Sequence, residues 1–151
     1  GEGLPTGKIE LVKDGQLQTW ILDMATARQL GLSSNGRASR GTASPPSPSS
    51  TNLYMAAGVI SPEDMIGDVK DGLYVTELIG MGGNGVTGDY SRGATGFWIK
   101  DGILTHAVNE ITITSNLIDM FREATPASDL EFRYGTNAPT LRIDGMTIAG
   151  A

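Results

Sequence analysis

Apolar and polar residues alternate with period two along Lys8-Ile9-Glu10-Leu11-Val12, and Leu17-Gln18-Thr19-Trp20-Ile21 follows after Asp14-Gly15. Alternation sends successive side chains to opposite faces of a strand, and Asp-Gly accepts the positive φ angles of a two-residue turn. The chain is therefore predicted to open on a β-hairpin. Met24 to Leu30 predicts a short helix stopped by Gly31. Residues 33–50 have no apolar periodicity and contain Ser44-Pro45-Pro46-Ser47-Pro48-Ser49-Ser50, which predicts a long surface loop or flexible segment.

Beyond the loop, Asn52 to Ala57 predicts a strand. Ser61-Pro62-Glu63-Asp64 then predicts a helix start. The hydroxyl can cap, proline suits the first helical position, and the acids favour the positive end of the dipole. That helix is expected to end near Val69, with Asp71-Gly72 turning the chain. Leu73 to Ile79 and Gly93 to Lys100 predict strands on either side of a glycine-rich loop, Gly80 to Gly85. Asp101-Gly102 is a second hairpin signal, with Ile103 to Val108 as the return strand. Glu110 to Thr114 predicts a further strand. Asn116 to Glu123 predicts a short helix with Leu117, Met120 and Phe121 on one side, and Leu130 to Tyr134 and Thr140 to Ile148 are the expected closing strands. Asp144-Gly145 is a turn or bulge within the last. About nine strands and three short helices, without strand–helix alternation, argue against a doubly wound parallel sheet. The expected fold is mainly β, a β-rich α+β class, with an antiparallel sheet curled into a barrel or sandwich.

Composition changes this picture in three ways. The 21 glycines favour tight turns, and 151 residues fit one domain, 1–151, with its own core. The chain begins Gly1-Glu2-Gly3-Leu4-Pro5, which reads as a piece of a longer protein. A formal net charge of −6 with no Lys/Arg block argues against direct nucleic-acid binding and against an anionic membrane surface. The absence of cysteine removes disulfides, thiolate metal sites and a cysteine nucleophile together, and fits a cytoplasmic location.

Candidate chemistry is sparse. Gly80-Met81-Gly82-Gly83-Asn84-Gly85 contains the spacing of a dinucleotide loop, but Val86-Thr87-Gly88-Asp89 does not start the helix such a site requires. His106 is the sole histidine, so a metal site or a serine–histidine pair would rest on it alone, and Ser91 lacks the nucleophile-elbow context. Thr87-Gly88-Asp89-Tyr90-Ser91-Arg92-Gly93 is the most unusual string. It reads either as a polar turn leading into the Phe97-Trp98 strand or as a ledge for a peptide or partner. Glu110-Ile111-Thr112-Ile113-Thr114 reads as a half-buried strand, or, at a sheet edge, as a surface for strand addition. Asn84, Asp89, Tyr90, Ser91, Arg92, Glu110 and Thr112 are thus the candidate contacts for peptide or a partner subunit, with no catalytic residue and no metal ligand among them.

In order, Leu73-Tyr74-Val75-Thr76-Glu77-Leu78-Ile79-Gly80, Val86 to Gly93, Gly96-Phe97-Trp98-Ile99, Asp101-Gly102-Ile103, Glu110-Ile111-Thr112-Ile113, Asn116 to Phe121 and Met146-Thr147-Ile148-Ala149-Gly150 resemble the C-terminal part of the TldD/PmbA family, on its PmbA or TldE side. The likeness also takes in Gly3-Leu4-Pro5-Thr6, Ala27-Arg28-Gln29-Leu30-Gly31 and Ser44 to Pro48, and so covers nearly the whole chain. The resemblance implies a cytoplasmic subunit of a TldD–TldE heterodimer, a metalloprotease that trims unfolded or extended peptides, in a family also labelled a DNA gyrase modulator. It implies zinc in the TldD-type partner, held by a His-Glu-x-x-x-His motif and a cysteine. Neither element occurs here, and Tyr134-Gly135-Thr136-Asn137 has no cysteine, so the resemblance implies no cofactor in this chain. Two other readings stand beside it: a binding or assembly module linked to gyrase or a toxin–antitoxin partner, and a stand-alone hydrolase using His106.

Overall fold

A computed structural model describes residues 1–150. The chain divides into two compact units, Gly1–Leu53 and Tyr54–Ala151.

In the first unit, β1 (Val12–Lys13) pairs with β2 (Gln16–Leu17) around Asp14 and Gly15, both at positive φ. The hairpin is real but only two residues deep on each side. α1 spans Met24–Leu30 as expected. Asp23 caps its start by accepting from Thr26 N at 2.7 Å, and Gly31 ends it in the left-handed conformation. The Ser/Pro-rich segment is a surface loop closed by a short ladder, β3 (Ala38–Ser39) against β4 (Ser47–Pro48). The chain passes to the second unit through β5 (Leu53–Tyr54), shorter than the strand predicted from Asn52 to Ala57.

The second unit is built on one sheet. α2 (Pro62–Gly67) is capped by Ser61, whose hydroxyl accepts from Asp64 N at 3.1 Å. It is followed by β6 (Asp71–Ile79), β7 (Asp89–Lys100) and β8 (Ile103–Asn116). Next come α3 (Leu117–Glu123), β9 (Ala124–Pro126), β10 (Thr136–Asn137), β11 (Leu141–Ile143) and β12 (Thr147–Ala149). The main sheet is antiparallel in the order β12-β8-β7-β6. β9 and β11 form a separate two-stranded ladder. The mainly β class expected from the sequence holds. The sheet is open, with β6 and β12 as its outer strands, and no closed barrel forms among the described residues.

The core lies on one face of this sheet. Ala94, Ile111 and Ile113 are buried, and Leu73, Val75, Tyr90, Val108, Met146 and Ile148 pack against them. Val108 and Ile111 are an odd number of residues apart yet serve the same face. A bulge makes this possible: Ala94 pairs with Ile111 and Gly96 with Val108, so Thr95 alone of β7 faces both Asn109 and Glu110 of β8, and Glu110 sits at φ 57°. The two strands predicted for 103–108 and 110–114 are therefore one bulged strand. Gly96 allows the close approach of β7 to β6, because a Cβ there would lie 1.9 Å from the Tyr74 carbonyl oxygen.

Other expectations need correction. Asp71-Gly72 is not a turn; it begins β6, opposite Lys100 and Ile99, and Gly72 is not at positive φ. Leu130 to Tyr134 is not a strand. Asn137 Oδ1 accepts from Arg133 N and Tyr134 N, both at 2.9 Å, so a side chain takes the amides a ladder would use. Thr140 to Ile148 is split by Asp144-Gly145 into β11 and β12, which pair with different strands. On α3, Leu117 and Met120 are half-buried, but Phe121 points outward at 70% exposure.

Candidate functional site

The glycine-rich loop lies against the beginning of β7. Ser91 N donates to Gly82 O at 2.8 Å and Asn84 N to Asp89 O at 2.9 Å, and Gly83 bridges Tyr90. The loop thus continues the line of β6 along β7 without being a regular strand. Gly82 is required by this approach, since a Cβ there would sit 1.5 Å from the Ser91 carbonyl oxygen. The loop then turns at Asn84, whose Oδ1 accepts from Val86 N at 2.9 Å and Thr87 N at 3.2 Å. Such a side-chain turn ends in a strand, and no helix follows the glycines, so the dinucleotide reading has no helix N-terminus to use.

A cavity of about 500 Å³ opens beside this loop. Asn84, Asp89, Tyr90 and Ser91 line it, with Met81, Thr114 and Ser115. Cross-strand register explains the grouping: Tyr90 is opposite Ser115 and Ser91 opposite Thr114. Asp89 is oriented by Thr87, whose hydroxyl donates to Oδ2 at 2.7 Å. Asn116 fixes the base of the turn, donating from Nδ2 to Thr87 O at 3.2 Å and capping α3 through Ile118 N at 2.9 Å. Met81 and Val86 are almost wholly exposed at the loop.

The seven predicted contact residues therefore separate. Four share the cavity. Arg92 faces the core side with its register partner Ile113 and donates from Nη2 to Leu78 O at 3.1 Å. Glu110 occupies the bulge. Thr112 lies mid-sheet between Gly93 and Ala149, so the Glu110–Thr114 run is not an edge, and Thr112 to Thr114 are paired on both sides. The outer strands are β12, three residues long, and β6, nine residues long, so β6 presents the longer edge. Thr114 and Ser115 were not singled out from sequence; register counted from the Asp101-Gly102 turn alone would set Thr112 opposite Ser91, and two register shifts between β7 and β8 bring Thr114 there instead.

The cavity offers hydroxyls, one carboxylate and one side-chain amide, all able to make hydrogen bonds. His106 is exposed, with Nδ1 3.2 Å from Thr105 Oγ1. It is eight positions along β8 from Thr114, the partner of Ser91, which at strand rise is about 25 Å. A Ser91–His106 pair is therefore not formed. Among the described residues no three His, Cys, Asp or Glu side chains gather in a way that would hold a metal ion. A lone exposed imidazole outside any such group does not make a zinc site.

Away from the cavity, hydrogen bonds shift several acids. Asp71 is held below the usual carboxylate range by its bonds from Lys100 and Trp98, and Lys100 is raised in turn. Asp129 is lowered by the hydroxyl and amide of Thr140. Arg142 is raised, mainly by Asp144 and then by Asp68. These groups brace strands and loops and do not face the cavity. No helix among the described residues is long and apolar enough to cross a membrane.

Comparison with known proteins agrees with this architecture. Residues 1–150 match the family described as the PmbA/TldA metallopeptidase C-terminal domain. The chain is 40% identical over 150 residues to Metalloprotease PmbA of Escherichia coli O157:H7, covering 99% of this chain and 31% of that protein. It is 28% identical over 166 residues to a Metalloprotease TldD homolog of Haemophilus influenzae, covering 99% of this chain and 34% of that protein. A solved structure from Thermotoga maritima, named for modulation of a DNA gyrase, superposes with a TM-score of 0.83 at 29% identity, covering 97% of this chain and 34% of the other. The chain thus spans about a third of the length of these relatives.

Proposed function

This chain belongs to the PmbA/TldA metallopeptidase C-terminal domain family, and from that premise we propose that it is a noncatalytic domain of a PmbA-type subunit working with a TldD-type partner on extended peptides. The observation that carries the reading is the contrast in identity, 40% to a PmbA and 28% to a TldD homolog, in a chain with one histidine and no cysteine. In this reading the zinc belongs to the partner. This domain supplies a wall for the substrate and a surface for assembly.

Strand addition suits such a role, because main-chain hydrogen bonds hold an extended peptide without demanding its sequence. The Glu110–Thr114 run does not offer them. The outer side of β6 does, with Leu78 and Ile79 exposed at its end and the polar cavity just beyond the glycine loop. Asn84, Asp89 and Ser91 would then contact the peptide's polar groups.

The test is peptide cleavage in the presence of zinc, with the full-length protein alone and mixed with the TldD-type protein of the same cell. Cleavage only in the mixture is expected. Cleavage by the full-length protein alone would place a metal site elsewhere in it and overturn the PmbA-side reading. Silence in both would favour a binding module, a reading that draws on the gyrase-linked name of the Thermotoga maritima structure.

A further inference from the structure

The chain contains two Asn-Gly steps, Asn35-Gly36 and Asn84-Gly85, and the fold treats them in opposite ways. Asn35 is held at both ends of its amide. Its Nδ2 donates to Trp20 O at 2.7 Å, and its Oδ1 accepts from Leu22 N at 3.1 Å. The Gly36 amide is engaged too, donating to Ser34 Oγ at 3.2 Å, and a Cβ at that residue would lie 2.7 Å from Pro5 O. At the other step, Asn84 and Gly85 are exposed, and among the described residues neither Asn84 Nδ2 nor Gly85 N makes a hydrogen bond. Space around the Gly85 α-carbon is open.

We propose that Asn84-Gly85 is a site of spontaneous covalent modification, in which Asn84 converts through a succinimide to aspartate and isoaspartate at the rim of the cavity. The Gly85 amide nitrogen gives up its proton and bonds to Asn84 Cγ. The Cγ–Nδ2 bond then breaks, and that nitrogen leaves as ammonia. Water opens the ring at either carbonyl, so the net change is asparagine plus water to acid plus ammonia, with no oxidant, metal or other partner. Three features of the loop favour the step. The nucleophile is a free amide with no Cβ beside it. The leaving nitrogen makes no hydrogen bond among the described residues that would hold it in place. Oδ1, where negative charge develops, already accepts from Val86 N and Thr87 N, two backbone donors placed like an oxyanion hole.

The product matters to the cavity. Either acid adds a negative charge close to Asp89, and isoaspartate lengthens the backbone at the residue that pairs with Asp89 and accepts from Gly88 N at 2.8 Å. Modification therefore alters the acidity of the cavity and the loop that shapes it.

The test uses the full-length protein held at mildly alkaline pH, sampled over time, digested and read by mass spectrometry for the mass gain of oxygen replacing NH and for isoaspartate. In the folded protein conversion is expected about tenfold faster at Asn84 than at Asn35. In urea the two rates should converge, because both asparagines precede glycine. Gly85→Ala should slow conversion at residue 84 and leave residue 35 unchanged. Equal rates in the folded protein, a ratio that persists in urea, or a Gly85→Ala protein that converts as fast as the parent would each overturn the proposal.

Discussion

The Trp98 indole donates from Nε1 to Asp71 Oδ1 at 2.7 Å, fastening the first residue of β6 to the far end of β7, while Lys100 Nζ lies 3.0 Å from the other carboxylate oxygen. Because both donors favour the ionised acid, Asp71 has a lower pKa in the folded chain than in the unfolded one. The contribution of this carboxylate to stability is present above its ordinary pKa of 3.8 and is lost as pH falls through the lower folded value. Carboxyl-carbon NMR of the folded protein should show Asp71 titrating below the ordinary range, and Lys100→Ala should move it back up. An Asp71 signal that titrates at its ordinary value in the parent would contradict the assignment.

Glycine is required at 82 and dispensable at 85. Ala at 82 would meet the Ser91 carbonyl oxygen at 1.5 Å, whereas Ala at 85 meets nothing within 4 Å and Gly85 is not at positive φ. Gly82→Ala is expected to cost about 3 kcal/mol and to expose the Ser91 amide to exchange. Gly85→Ala should stay within about 0.5 kcal/mol of the parent in urea unfolding.

Ile111 is 1% exposed and lies just beyond the bulge, between Ala94 and the rest of the apolar face. Ile111→Ala should destabilise the protein by about 3 kcal/mol, and Ile111→Val by about 1 kcal/mol. Two losses of equal size would mean that the site collapses around the smaller side chain.

Arg92 tests the division between structural and contact roles. Its guanidinium holds the Leu78 carbonyl at the end of β6. Arg92→Ala should raise amide exchange around Leu78 and Ile79 while assembly with a TldD-type subunit is retained. Unchanged exchange with weakened assembly would instead make Arg92 an interface residue.

Local features were legible because neighbours in sequence decide them. α1 and its Gly31 stop, the Ser61 cap, and the Asp14-Gly15 and Asp101-Gly102 turns all follow from side chains acting within a few residues. The same local rules failed where distant groups compete. Asp71-Gly72 has the composition of a turn, but Trp98 and Lys100 hold it extended. Leu130 to Tyr134 has the composition of a strand, but Asn137 takes the Arg133 and Tyr134 amides.

The candidate site divides along the same line. The sequence by itself determined the chemistry available: one histidine, no cysteine, a glycine loop and the polar string from Thr87 to Gly93. It also carried the family likeness, since ordered strings survive without knowledge of their contacts. Only the tertiary structure decided which residues meet. Register across β7 and β8 placed Thr114 and Ser115 beside Ser91 and Tyr90, and β12 covered the Thr112–Thr114 backbone. The edges of the sheet are thereby β12 and the longer β6. Period-two alternation fixes the face of a side chain, but not which strand lies beside it; that choice comes from long-range pairing and from the bulge at Glu110.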